Sequence, residues 1–402
     1  MSDLLGYNAL LIVTLLTYIF SYKLPNISKI IWVAFVIRIS VLFLGHYFVD
    51  LPDSDGDAKK FVVIASVMAE GGFFSVLSNF EGPKARFISW LLAVPFSLLG
   101  TSMLMAKSFS LLAGIGSVIL GWAVAKKIWD NQIANKVAWV IALFPSLILY
   151  SVLPMREPYL VFFLVLAVYG IVSWFKTHKY RYLLLSIIAF VSTVFFHGAM
   201  IVGLIIFLVA LAIINILKII KSLKRFNLHI TSILLILITF LIIGLFVNNK
   251  ISVPYLHNFD KSARFEIIQH QSKIATRGVA SWPKWTIINS PIEILYKSPI
   301  RSLYFVFAPF PWDVKKVKHL IGLFDALIYL YLSILILTNI KNILKDPILR
   351  IILLILLTYL FVFGIGVGNF GTGIRHRSKL VFLFILLAAP YIKNFKFIKN
   401  HN

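Results

Sequence analysis

The 402-residue chain contains no cysteine. That excludes disulfides, thiolate metal sites and cysteine nucleophiles, including the cysteine transpeptidase type of membrane enzyme. Acids are also scarce, with 15 Asp and Glu against 39 Lys and Arg and a net charge of +24. A mechanism that needs a carboxylate therefore has few to choose from. Tandem repeats, low-complexity tracts and a separable soluble domain are all missing. The basic excess does not imply nucleic acid, because most of the lysines flank apolar runs, where they act as topology determinants and anionic-lipid contacts. What is abundant is apolar residues: 60% hydrophobic, with a mean hydropathy of +0.92.

Charge-free runs such as Ile230–Val247 and Ile351–Val367 are long enough for a hydrocarbon core about 30 Å thick. By length, spans are expected over 6–21, 30–49, 86–101, 104–124, 137–153, 159–175, 182–196, 200–217, 230–247, 320–338, 351–367 and 380–392. The expected fold is a single all-α polytopic membrane bundle over 1–402, with roughly 11–13 transmembrane helices and short surface helices in outer loops. Met1–Ser21 reads as a first span rather than a cleaved leader.

The loops fall into two kinds. One kind is purely basic: Lys126/Lys127/Lys136, Lys176/Lys179/Arg181, Lys218/Lys221/Lys224/Arg225, Lys341/Lys345/Arg350 and Lys393/Lys396/Lys399. The positive-inside rule makes these cytoplasmic. The other kind carries acids, arginines, histidines and tryptophans, in a first outer loop (50–85, with a surface helix), at 154–158, at 197–199, in a long outer loop (248–319) and at 368–379. The alternation fails once. If Asp50–Asp57 is outside, then either 59–80 hides a re-entrant helix or 86–101 dips without crossing.

Four carboxylates crowd into Asp50–Asp57, so mutual repulsion favours a raised pKa or a shared cation. Asp53, Asp55 and Asp57 are accordingly candidates for a general base or for a divalent cation, with an ordinary capped turn as the plainer alternative. Arg156 and Glu157 sit at an expected hairpin apex, and His197 at another. Metal ligation by His197 with His270 or His376 has no spacing to support it. Arg375-His376-Arg377 follows the glycine-rich Gly368–Gly373. Two guanidiniums beside flexible backbone suit a phosphate or pyrophosphate at the membrane surface, with Arg156, Arg264, Arg277 and Arg301 as further donors. Asp325 is an intramembrane acid and a functional suspect by position.

The Asp-bearing outer loop, Leu143-Phe-Pro-Ser146 leading to Met155-Arg156-Glu157, Pro309-Phe-Pro-Trp312 and the late Gly-Thr-Gly-Ile-Arg-His-Arg together resemble bacterial GT-C-type membrane glycosyltransferases, including Wzy-type polymerases of O-antigen and capsule. The resemblance implies a polyprenyl-(pyro)phosphate-linked sugar as substrate and an acidic base in the first outer loop. It also implies the bacterial cytoplasmic (inner) membrane with the site facing outward, membrane lipids as surroundings, and a polysaccharide chain-length regulator as partner. Asp55 is the first choice of base, followed by Asp53, Glu157 and His197. No cofactor is implied with certainty; a divalent cation at Asp53, Asp55 and Asp57 is the one candidate. A single-sugar GT-C transferase is the alternative, and a lipid-linked oligosaccharide flippase is the rival from another class. The flippase would want charges at mid-membrane.

Overall fold

The computed structural model describes residues 2–82, 86–223, 280–315 and 317–393, with 237, 244, 269 and 273. The expected span 230–247, most of 248–279, and with them Arg264, Arg277 and His270, lie outside the described residues. The chain is helical. Among the described residues the one isolated β-bridge joins Ser281 to Asn369. Among the described residues seven helices are long and apolar enough to cross a membrane, and a pair bent by 59° makes an eighth if counted as one span. The protein is a multi-pass membrane helix bundle.

The bundle is built from α1 (Ser2–Lys23), α2 (Ser28–Tyr47), α3 (Lys59–Glu70), α4 (Phe73–Ser78), α5 (Phe87–Leu99), α6 (Met103–Ile128), α7 (Asn131–Leu143), α8 (Pro145–Ser151), α9 (Glu157–Thr177), α10 (Tyr180–Phe196) and α11 (Ile201–Leu223). It continues through α12 (Pro291–Phe307), α13 (Val317–Thr338), α14 (Ile340–Lys345), α15 (Pro347–Gly366), α16 (Phe370–Ser378) and α17 (Val381–Ala388). Where α9 and α10 pack, a Cβ on Gly170 would lie 2.7 Å from Ser186 N and 2.8 Å from Tyr182 O. Only glycine permits that backbone approach.

The basic loops gather at one end. The Lys127 ammonium lies over the rings of Tyr169 and Tyr182, and Lys136 donates to Ile392 O at 2.8 Å. The acid-bearing segments meet at the other end, where the Tyr7 and Tyr47 hydroxyls bond at 2.7 Å and α2 runs into the Asp loop.

The broken alternation is resolved by α5. Its first residue, Phe87, packs on Phe195 and Phe196, while Gly100 beyond its last packs on Leu5. Both ends therefore lie at the acid-bearing end. Thirteen residues span only about 20 Å at 1.5 Å per residue, too short for the core. The α3–α5 segment dips without crossing, so the Asp loop and Ser102 share a face.

A second departure concerns the Arg375-His376-Arg377 motif. It does not sit on a loop outside a span. α16 descends beside α13: His319 meets Phe370 edge to face, Ile374 meets Gly322, Arg377 pairs with Asp325, and Tyr329 packs on Phe384. α16 and α17 together form the last crossing, with all of His376–Ala389 buried. Glycines at 371 and 373 misled the reading toward a loop. Asn369 instead caps the helix, accepting from Thr372 N at 2.8 Å.

Breaks in membrane helices expose backbone carbonyls that no water satisfies, and three buried arginines meet this need. Arg38 donates to Ala142 O at 2.7 Å and to Ile141 O at 3.2 Å, where Pro145 interrupts α7–α8. Arg301 donates to Gly364 O, Ile365 O and Val367 O at the end of α15. Arg377 donates to Val306 O at 2.8 Å and Ala308 O at 2.6 Å, past the end of α12. Each also places a cation at the negative pole of a helix.

Candidate active site

Four segments far apart in sequence converge at the acid-bearing end: the Asp loop, the α8–α9 corner, the turn at His197, and α16. Arg375 is the hub. Its Nη1 donates to Asp57 Oδ2 at 2.6 Å, and its Nε lies 3.2 Å from Glu157 Oε1. The Lys379 ammonium sits 3.5 Å from the same Glu157 oxygen and 2.8 Å from His376 Nδ1. The His376 and His197 rings are 5.1 Å apart. Arg156 donates to Phe196 O at 3.4 Å and covers the Phe61 ring at 5.5 Å. Glu157 and Lys379 have no exposed surface, whereas Asp57 remains half exposed.

Local sequence explains the positioning. Pro154 and Pro158 shorten the α8–α9 corner, and Pro158 is tolerated in the first turn of α9. Glu157 begins that helix at its positive end. Arg375, His376 and Lys379 fall at i, i+1 and i+4 of one descending helix, so Arg375 and Lys379 share a face. In the Asp loop, Asp53 takes a left-handed backbone (φ 67°) before a single wide turn over Ser54–Ala58. Among side chains that carry a Cβ, Asp and Asn adopt this conformation most readily. Irregular turns of this wide type concentrate at functional sites.

The Tyr150 hydroxyl donates to Asp53 Oδ2 at 3.0 Å. Asp53 is solvent-exposed as a residue, as Asp55 is, but partial desolvation of its carboxyl where it meets Tyr150 raises it above the ordinary carboxylate range, and the charges of Glu157 and Asp57 add to this. The Tyr150 hydrogen bond and Arg375 oppose the rise without cancelling it. Asp57 goes the other way. Burial acts against its ionisation, but the hydrogen bond and charge of Arg375, then Arg156 and Lys60, hold it below the usual range. Two neighbouring carboxylates are thus driven apart, a pattern that separates a proton acceptor from a fixed counter-ion.

The sign of each shift fixes its effect on stability. Depressed Asp57 contributes stability that is present above the ordinary carboxylate pKa and is lost as pH falls through its folded value. Raised Asp53 does the reverse, costing stability as pH rises from the ordinary value through its folded one. Asp53→Asn should therefore melt slightly above wild type at pH 7, the gain being held small by solvent screening at this exposed residue and helped by the ease with which Asn adopts left-handed backbone. The gain should vanish below about pH 4, where both states are protonated. Thermal unfolding of the detergent-solubilised protein at several pH values tests this, and equal melting at pH 7 would refute it.

The expected residues divide by placement. Asp53, Asp57, Arg156, Glu157, His197, Arg375 and His376 are brought together. Asp55 is exposed and makes no hydrogen bond or ion pair with a described residue. Arg377 and Arg301 are fully buried away from the cluster, on the carbonyls described above. Among the described residues no three His, Asp or Glu side chains form a metal-holding group, so Asp53, Asp55 and Asp57 do not converge as a ligand set. Tyr150 and Lys379 were missed. The spacing of Lys379 from Arg375 was a readable signal, whereas Tyr150 carried none.

Arg156 Nε and His197 Nδ1 are buried with no hydrogen-bond partner among the described residues, and Arg375 Nε and Glu157 Oε1 meet only as an ion pair at 3.2 Å. Buried polar groups are ordinarily bonded, and exceptions concentrate where a ligand or chemistry is served. A cavity of about 10 Å³ lined by Glu157, Arg38, Tyr150 and Ser378 has room for a single water, too little for a sugar. No family model matches the chain, and no curated protein sequence matches it.

Proposed function

We propose that the protein is a membrane glycosyltransferase acting on polyprenyl-(pyro)phosphate-linked sugars, most closely a Wzy-type polymerase of surface polysaccharide repeat units. The observation that carries the reading is the convergence, at one end of a membrane bundle, of the Asp53 carboxyl with the Arg156 and Arg375 guanidiniums and the Lys379 amine. In such a transfer Asp53 takes the proton of an acceptor hydroxyl as its oxygen bonds to the anomeric carbon. The bond from that carbon to the carrier phosphate breaks, and the departing phosphate keeps the electron pair. Guanidinium donors stabilise the negative charge as it develops. Arg375 holds Asp57 with one terminal nitrogen, and its other terminal nitrogen makes no bond to a described residue. Asp57 and Glu157 position Arg375 and Lys379 rather than take part in bond making.

The basic loops support a cytoplasmic assignment for the opposite end, and hence an outward-facing site in a bacterial inner membrane. On the polymerase reading the partners are the lipid-linked oligosaccharide and a chain-length regulator. A second reading draws on one observation. Glu157, Lys379 and the Asp325–Arg377 pair are buried inside the bundle, as a lipid-linked oligosaccharide transporter would require.

Reconstitution separates the two. The purified chain in liposomes, given a polyprenyl-pyrophosphate-linked oligosaccharide, should yield extended glycan by mass spectrometry, and yield none with Arg375→Ala. Movement of the lipid-linked sugar between leaflets without any new glycosidic bond would select the transporter.

A further inference from the structure

A cavity of about 320 Å³ lies beside the cluster, on the dipping α3–α5 segment, lined by Met68, Ser78, Asn79, Phe80, Glu81 and Trp90. That volume falls within the range of small-molecule sites, about 300–1,000 Å³. We infer that it is a carbohydrate subsite that seats one pyranose ring of a glycan, with the aromatic wall against the sugar's C–H face and Ser78, Asn79 and Glu81 toward its hydroxyls.

Three observations carry this. The wall is a rigid aromatic group: Phe80 and Trp90 lie 4.6 Å apart, with Phe80 stacked on Phe195 and Phe87 stacked on Trp90. The indole N–H is engaged by Val76 O at 2.8 Å, so the ring offers its apolar face and edge rather than a donor. The lining also supplies an amide, a hydroxyl and a carboxylate, the donor and acceptor set that reads sugar hydroxyls. Asn79 and Ser78 are held there by bonds to Ser75 at 3.2 and 3.0 Å. The alternatives fit less well. No Arg or Lys is among the residues that line the cavity, which disfavours a phosphate headgroup, and the polar side chains disfavour an acyl chain.

The placement suits an acceptor. Phe61, under Arg156, and Met68, in the cavity wall, lie seven residues apart on one face of α3, about 10.5 Å along its axis. A ring seated on Trp90 thus lies within a sugar or two of the cations. That it is an acceptor rests on the glycosyl-transfer reading; that a sugar binds does not.

Saturation-transfer NMR of the full chain in detergent micelles, with methyl glycosides of glucose, galactose and N-acetylglucosamine as probes, tests the inference. Ring protons of at least one glycoside should receive saturation from the wild type. Asn79→Ala and Glu81→Gln should each weaken binding about tenfold, as loss of one good hydrogen bond does, while Asp53→Asn leaves it unchanged. Absence of transfer to all three glycosides, or signal unaltered in both lining variants, overturns the subsite. If the glycosides bind as expected but the reconstituted chain forms no glycosidic bond, the subsite stands and the transferase reading fails.

Discussion

Arg377→Ala should prevent the protein from accumulating in folded form. The guanidinium has no exposed surface and serves four partners: the Asp325 carboxylate at 3.0 Å and the carbonyls of Val306, Ala308 and Gly322. Its removal leaves Asp325 as a buried charge without its cation, which costs about 3–5 kcal/mol. The orphaned carbonyls add about 1–3 kcal/mol each. Together these come to about 6–14 kcal/mol, comparable to a total stability of about 5–15 kcal/mol, so folded protein should be strongly depleted. Arg377→Lys should fare little better, because an ammonium cannot reproduce the planar fork. The double variant Arg377→Met/Asp325→Leu separates the contributions. Replacing a buried ion pair by apolar groups is often neutral, yet the three carbonyls would remain unpaired, so no rescue is expected. Size-exclusion profiles of detergent extracts give the readout. Full recovery in the double variant would show that the ion pair, and not the capping of a broken helix, is what Arg377 provides.

The second large effect concerns the base. Asp53→Asn should lower kcat by about 10²–10⁴, the usual contribution of a positioned base, with membrane insertion retained and stability at pH 7 raised. Asp55→Asn should stay close to wild type, since Asp55 lacks the bond that ties Asp53 to Tyr150 and lies outside the network. The pairing of lost turnover with gained stability is what an active-site carboxylate held against its own preference produces. A purely structural Asp53 would lose both together. Should Asp55→Asn be the inactive one, the proton acceptor is the carboxylate in the open loop, and the Tyr150–Asp53 hydrogen bond is scaffolding.

Composition and apolar run length were enough to define a multi-pass helical bundle, because a hydrocarbon core accepts backbone only when its hydrogen bonds close within the segment. Loop charge was enough to sort the segments into two ends, and the segments from around Asp57, Glu157, His197 and Arg375 do meet. Three things were decided only by tertiary structure. The first is which arginine of Arg375-His376-Arg377 faces the cluster. That depends on the rotation of α16 against α13, and adjacent positions on a helix point about 100° apart. The second is the choice among Asp53, Asp55 and Asp57, set by a left-handed turn that aims Asp53 at Tyr150, a residue ninety-seven positions away. The third is the part played by Arg38, Arg301 and Arg377. A buried arginine in a membrane sequence reads equally as a ligand site or as a cap, and only the position of a broken helix end beside its guanidinium distinguishes the two.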